Sequence, residues 1–453
     1  MKQRWIGMLL IAALLTGGLT GCKGAEGGMV EKNGVGVTTA VKVAEKLVVP
    51  SNAEAEQFAQ LAAAYSEETG VQLPVETLPA ENYRARLQEL VKSGDAPLLF
   101  LVHGEVERAA VADACAPLES LAVTAHLDDP ALALSDGGHT YALPLRYETF
   151  GLLYNRAVLQ QYFDLPSRAT AYASMEEINS EAALRALAED LDAHKAELGI
   201  EAVFSSAPLK EGETHTWHTQ LFADAAALGQ DAAGKRRSAK ETADAALAQS
   251  DAFGSFLPFW FDHAVTRDAE ADEAQARAEF ASGRSAMMFS GDRTAASLFS
   301  AEGSRISEQD IGLLPLHLGA QSAQARGVTA GADLYLCMHA DAAELQQKNA
   351  ERFLNWLMTG ENGRRRFVET FGAILPFDDQ AGGELPEDPV LRETARQLDR
   401  TDVQRTYTDP DLVHDGVFGS LLRGTAAMLQ SGARAWEDLK SELSDGMKDL
   451  FKE

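Results

Sequence analysis

Ala96-Pro97-Leu98-Leu99-Phe100-Leu101-Val102 carries no polar side chain over seven residues. A continuous apolar run of this length, entered from the turn residues Ser93-Gly94-Asp95, reads as a strand buried on both faces, as in parallel sheets. Working back from it, Tyr83, Leu87, Leu90 and Val91 recur at helical spacing, and Val71 to Leu78 alternates apolar and polar side chains as a half-buried strand does. Before these, Phe58, Leu61, Ala62 and Tyr65 share one helix face, with Gly70 where a C-cap belongs. Leu47-Val48-Val49, closed by Pro50, is the first strand. Strand, helix, strand, helix, strand is a βαβ series, which predicts an α/β fold with ligand beyond the carboxyl ends of the strands. Ser51 and Asn52, at the end of the first strand, are therefore candidate ligand contacts.

Downstream the chain is helix-rich. Ala182 to Leu198, Ala239 to Leu247 and Glu351 to Met358 read as helices, and Gly419 to Phe451 as one or two more. No internal repeat is visible. A length of 453 residues fits two or three domains, or one large two-lobed one. With 40 Lys and Arg against 68 Asp and Glu, the formal charge is −28, which argues against nucleic acid and against adhesion to anionic lipid. At 45% hydrophobic and 24% charged residues the composition is that of an ordinary soluble globule.

The N-terminus has its own pattern. Lys2 and Arg4 precede an apolar stretch from Trp5 to Leu15, about half of the ~20 residues a membrane-spanning helix needs. Leu19-Thr20-Gly21-Cys22 follows and resembles the bacterial lipobox, which implies cleavage after residue 21 and a lipid on Cys22. Residues 22–45 are glycine-rich and read as a flexible tether. The expected location is the extracytoplasmic face of the cell membrane. The other cysteines, Cys115 and Cys337, show no CxxC spacing. Export makes a disulfide possible, but Cys337 in an apolar strand and Cys115 in a loop before Pro117 are expected to be two free thiols.

Seven local patterns fall in one order between residues 46 and 377. They are Glu67-Glu68-Thr69-Gly70-Val71, Ser93-Gly94-Asp95-Ala96-Pro97, Asp136 to Pro144, Gly151-Leu152-Leu153-Tyr154-Asn155-Arg156, Phe280 to Met287, Gly312 to Leu316 and Gly372 to Pro376. Behind a lipobox, this set resembles the extracellular solute-binding proteins of ATP-driven importers, in the sugar-binding, maltose-binding-protein-like branch. Leu98 departs from the aspartate usual at its place. The resemblance implies two α/β lobes with a ligand cleft between them: 46–147 with 317–371, and 148–316 with 372–453. The crossings would fall near Tyr147–Gly151, Leu316 and Phe371–Gly372.

A sugar site needs aromatic plates for ring faces, with carboxylates and amides for hydroxyls. By the resemblance, Glu148 is a cleft-facing hinge residue; the other reading is a solvated hinge carboxylate, and Arg146 and Tyr147 beside it serve equally well. Trp217, after Ala202-Val203-Phe204, resembles a cleft aromatic, or else is a core tryptophan. Asp292 and Arg293 stand where the family often has an aromatic, so a polar contact is expected there. Gly331 and Asp333 precede the strand Leu334 to Cys337, and read as ligand contacts or as a turn. Trp260 and Phe261 suit core or cleft equally; Asp378 and Asp379 are further candidates. His215 and His218 sit three apart with no third ligand in sight, so no metal is expected, and no cofactor.

The expected function is capture of a carbohydrate and its delivery to membrane permease subunits by a monomer. No G-x-S-x-G, H-E-x-x-H or G-x-x-x-x-G-K-[ST] motif is present, and no catalytic residue is assigned. The alternatives are a lipid-anchored glycoside hydrolase, whose carboxylate pair 68 acidic residues could always supply, and the same fold holding a polyamine, peptide or metal chelate.

Overall fold

The computed structural model of the chain describes residues 41–52, 54–210, 251–291, 298–299, 303–316, 327–378, 387–400, 404–407 and 416–450. Cys22, Trp217 with His215 and His218, Asp292, Arg293, Asp379 and the helix expected at Ala239 to Leu247 lie outside them.

The strands, in chain order, are β1 (Val43–Ser51), β2 (Val75–Pro79), β3 (Ala96–Val102), β4 (Leu134–Asp136), β5 (His139–Pro144), β6 (Glu148–Asn155), β7 (Ala202–Phe204), β8 (Ser285–Gly291), β9 (Ile311–Leu314), β10 (Gly327–Gly331), β11 (Tyr335–Met338) and β12 (Gln404–Tyr407). They form two sheets with helices packed on them, an α/β fold. One sheet runs β2-β1-β3-β11-β5-β4; the other runs β12-β10-β6-β8-β7, with β9 also on β6.

The first sheet is built around the apolar run that opened the sequence: all seven residues of β3 are buried. β1 pairs parallel with both β2 and β3, so its side chains face a core on each side. It begins at Val43, inside the stretch read as tether, because Val43 already pairs with Ala96. It also runs through Pro50 to Ser51, since pairing with β3 ends at Val48↔Phe100 and the missing N–H of proline breaks no ladder bond there. The following helix, α1 (Glu54–Thr69), buries Phe58, Leu61, Ala62 and Tyr65, the face its spacing predicts. Phe58 meets Phe371 edge-on at 4.9 Å and Tyr65 meets Phe353 at 5.1 Å, tying α1 to the helices Glu344–Met358 and Glu361–Phe371. Gly70 ends α1 at φ 73°, a left-handed conformation open to glycine at no steric cost.

The second sheet has its own core. Trp260 stacks on Phe204 at 4.1 Å and its Nε1 donates to the Ser205 carbonyl at 2.9 Å, so Trp260, with Phe261, is core. The expected Ala182 to Leu198 helix is two pieces, Glu181–Ala193 and Lys195–Leu198. The C-terminal helices, Gly416–Gln430 and Trp436–Leu450, are separated at Gly432, whose φ is 65°.

Two chain crossings differ from expectation. The resemblance places residues 317–371 in the first lobe, yet β10 belongs to the second sheet: Thr329 pairs with Phe150 and Gly331 with Glu148. The change of sheet comes between Gly331 and Tyr335, not near Leu316. Likewise Ala373, Leu375 and Phe377 still pack in the first core, while the helix Pro389–Leu398 supplies Val390 to the second. That crossing therefore lies beyond Phe377 rather than at Phe371–Gly372.

Candidate functional site

Strand directions gather the site. β1, β2 and β3 are parallel, so Ser51, Pro79 and Val102 all lie at one edge of the first sheet. β11 runs antiparallel to β3 and starts at that edge, with Tyr335 opposite Val102; β5 ends there, with Pro144 opposite Tyr335. The segment after β5 leaves this edge for the second sheet, and the segment before β11 returns to it. In the second sheet, Glu148 at the start of β6 lies opposite Gly331, and Phe150 lies opposite Gly291, the last residue of β8. The edge where the chain enters the second sheet is thus also where β8 ends.

Between the edges the two crossing segments, 144–148 and 331–335, run antiparallel side by side. Leu145 N donates to Leu334 O at 2.9 Å. The next pair is held by side chains: Arg146 donates to Asp333 through Nε at 2.9 Å and Nη2 at 2.8 Å, both residues being buried. A two-bond guanidinium–carboxylate fork fixes orientation as well as distance. Arg146 Nη2 also lies 2.7 Å from Glu54 Oε1.

Glu54 is the residue that the sequence reading missed. It opens α1, two positions after Asn52, whose side chain accepts from the Glu54 N–H at 3.0 Å. An acid in the first turn of a helix is favoured by the helix dipole, and this was the available signal. Its partner, 92 positions away, has no local signature. Ser51 and Asn52 are exposed and are joined to the crossing segments through Glu54 and Arg146.

Glu148 is 4% exposed, so it is not a solvated hinge carboxylate in this conformation. Tyr147 is a packing residue, buried with Leu132, Val328, Ala330 and Leu398. Its N–H donates to Ile374 O at 2.8 Å and its hydroxyl to Asp128 Oδ2 at 3.1 Å. A third segment is thereby tied in: Asp128 N donates to Pro376 O, Asp378 N to His126 O, and the His126 ring meets the Asp378 carboxylate at 2.9 Å.

The outlet of β7 is also fixed. Ser205 and Ser206 follow Phe204, and Glu279 Oε2 accepts from Ser206 N at 2.6 Å and Ser206 Oγ at 2.8 Å. Its Oε1 accepts from Thr266 Oγ1 at 2.5 Å. Glu279 is buried and its acceptor capacity is used internally. Sequence pattern singles out Phe280 beside it but not Glu279. Overall, the structure brings together Ser51, Asn52, Arg146, Glu148, Gly331 and Asp333, with Tyr147 behind them. At the junction Arg146 is held by Glu54 and Asp333, and Glu148 starts β6 two residues on. Among the described residues no group of three or more His, Cys, Asp or Glu could hold a metal ion.

Comparison with known proteins gives two kinds of likeness. The family model described as bacterial extracellular solute-binding protein matches residues 60–389, most of the chain. No curated protein matches the chain in sequence. Among solved structures, a family 1 extracellular solute-binding protein from Bifidobacterium longum subsp. infantis is 16% identical, with TM-score 0.61 over 90% of this chain and 100% of the other. Apo RafE from Streptococcus pneumoniae is 13% identical, with TM-score 0.62 over 90% and 99%. A sugar transporter from Bacillus licheniformis in complex with stachyose is 15% identical, with TM-score 0.56 over 89% and 98%. At these identities the likeness is one of fold.

Proposed function

For a chain that belongs to the bacterial extracellular solute-binding proteins, and therefore works outside the cytoplasm, we propose that the solute is a mono- or oligosaccharide handed to the permease of an ATP-driven importer. The observation that carries this reading is the junction itself. The end of β1, with Ser51 and Asn52, and the start of β6, with Glu148, lie by the two antiparallel segments that join the sheets, where Arg146 holds the Glu54 and Asp333 carboxylates. Carboxylates accept two hydroxyl hydrogens at a time, which suits a polyol. The stachyose bound by the Bacillus licheniformis structure supports the same ligand class.

In this reading the two sheets and their helices are lobes that close on the sugar, with 144–148 and 331–335 as hinge strands. Glu148, Ser51 and Asn52 contact the ligand directly. Trp217, and Asp292 with Arg293 after β8, complete the site from the second lobe. Arg146 and Asp333 position the hinge strands rather than the sugar. The protein binds without turnover, and Cys22 carries the lipid that holds it at the membrane.

A thermal-shift panel of oligosaccharides tests the ligand class: one at about 100 times its dissociation constant adds ~2.7 kcal/mol of stability. A shift with polyamine or peptide, and none with sugars, would overturn the reading. Release of reducing sugar from an oligosaccharide would make the protein a hydrolase instead. The anchor has its own test. Cys22→Ser should move the protein from the membrane fraction to the soluble one, and unchanged fractionation would refute it.

A further inference from the structure

Cys115 and Cys337 are both buried and both reduced in this structure. They lie 222 positions apart, yet the fold sets them side by side. The segment at Cys115 is a short continuation of the first sheet, pairing with the end of β11: Ala116 N donates to Met338 O at 2.8 Å and Ala340 N to Ala114 O at 2.9 Å. This places Cys115 opposite His339. Cys337 is two residues before His339, so both sulfurs project from the same face of the pairing. Both belong to one apolar cluster with Val48, Phe100, Val102 and Val111.

Cys115 Sγ donates to Val111 O at 3.5 Å. The neighbouring Cys337 side chain, with the buried Arg108 guanidinium, holds the Cys115 thiol below its ordinary range despite desolvation. Burial pushes the Cys337 thiol well up. The buried Arg108 guanidinium thus favours ionisation of Cys115 over that of the more deeply buried Cys337.

We propose that Cys115 and Cys337 are an oxidisable dithiol, with Cys115 the sulfur that reacts and Cys337 the one that resolves, closing into a disulfide when a small peroxide reaches the site. The Cys115 thiolate attacks one oxygen of hydrogen peroxide; the O–O bond breaks, an S–O bond forms, and hydroxide leaves to be protonated to water. The Cys337 sulfur then attacks Cys115, the S–O bond breaks, the S–S bond forms, and the second oxygen leaves as water, carrying the Cys337 proton. Two thiols and one peroxide give one disulfide and two waters. The sulfurs, diagonal neighbours on one face of the pairing, must close to about 2 Å. An extracytoplasmic location exposes the pair to such oxidants.

The test uses the full chain, treated with hydrogen peroxide, quenched, denatured, alkylated with iodoacetamide and digested for mass spectrometry. The expected result is a cross-linked pair of peptides carrying Cys115 and Cys337, about 2 Da lighter than the reduced two together. The cross-link should disappear with dithiothreitol, and the oxidised protein should melt at a higher temperature than the reduced one. In Cys337→Ser, Cys115 should instead accumulate as sulfinic acid with no cross-link. Wild-type protein in which both cysteines remain fully alkylated, or in which Cys115 reaches the sulfinic state unlinked, overturns the proposal.

Discussion

Arg146 and Asp333, 187 positions apart, are joined by two parallel hydrogen bonds of 2.9 and 2.8 Å across the two antiparallel segments that connect the sheets. Each residue is about 6% exposed, so neither charge has water to fall back on. Removing one partner of a buried pair leaves the other uncompensated. Arg146→Ala or Asp333→Ala should therefore cost roughly 3–5 kcal/mol in urea unfolding. The double substitution Arg146→Met with Asp333→Leu should recover much of that loss. If the single and double variants unfold alike, the pair does not act as a unit.

Glu148 starts β6 at the same junction and is the carboxylate we assign to the ligand. A lost hydrogen bond to a charged group is worth about 1.5–3 kcal/mol. Glu148→Ala should weaken oligosaccharide binding about ten- to hundredfold, at roughly 1.4 kcal/mol per factor of ten. Calorimetry with the best sugar of the panel measures it, after circular dichroism has verified folding. Trp217→Ala should weaken binding as well. Normal binding by both folded variants would place the site elsewhere.

Two glycines should respond oppositely to alanine. A Cβ on Gly363 would lie 1.9 Å from the Trp356 carbonyl oxygen, where the helices Glu344–Met358 and Glu361–Phe371 approach backbone to backbone. Gly363→Ala should cost about 1–3 kcal/mol through overpacking. Gly424, inside the helix Gly416–Gln430, would present its Cβ to open space. Gly424→Ala should stabilise by roughly 0.5–1 kcal/mol, since glycine is the poorer helix former. Melting temperatures of the two variants moving the same way would contradict this.

Acid should reveal Asp190. Burial alone would raise its carboxyl pKa, but the bonds it accepts from the Tyr162 hydroxyl at 2.5 Å, Thr170 N at 3.0 Å and Ala169 N at 2.7 Å outweigh that and lower it. A depressed carboxyl contributes stability that is fully present above its unfolded value, about 3.9, and is lost as pH falls through the folded value. Asp190→Asn should thus cost about 1–3 kcal/mol at pH 7, with the gap to wild type closing toward pH 2. Urea unfolding at both pH values checks the sign; a gap that widens in acid would refute the assignment.

Much of this was legible from the chain alone. The apolar run Ala96 to Val102 is a strand because nothing in it can face water, and Phe58, Leu61, Ala62 and Tyr65 mark a buried helix face because 3.6-residue periodicity is local. Ordered short motifs pointed to the family, which the matched span of residues 60–389 bears out. What tertiary structure alone decided is pairing over long separations. Gly327 to Gly331 carries no pattern that would choose between the sheets; it joins the second, where it pairs antiparallel with β6 from Glu148 to Phe150. Arg146 finds Asp333 and Glu54 only because the crossing segments run side by side beneath the end of β1. Periodicity records which face of an element is apolar, whereas the partner of a buried charge is set by which elements the topology brings to the same edge.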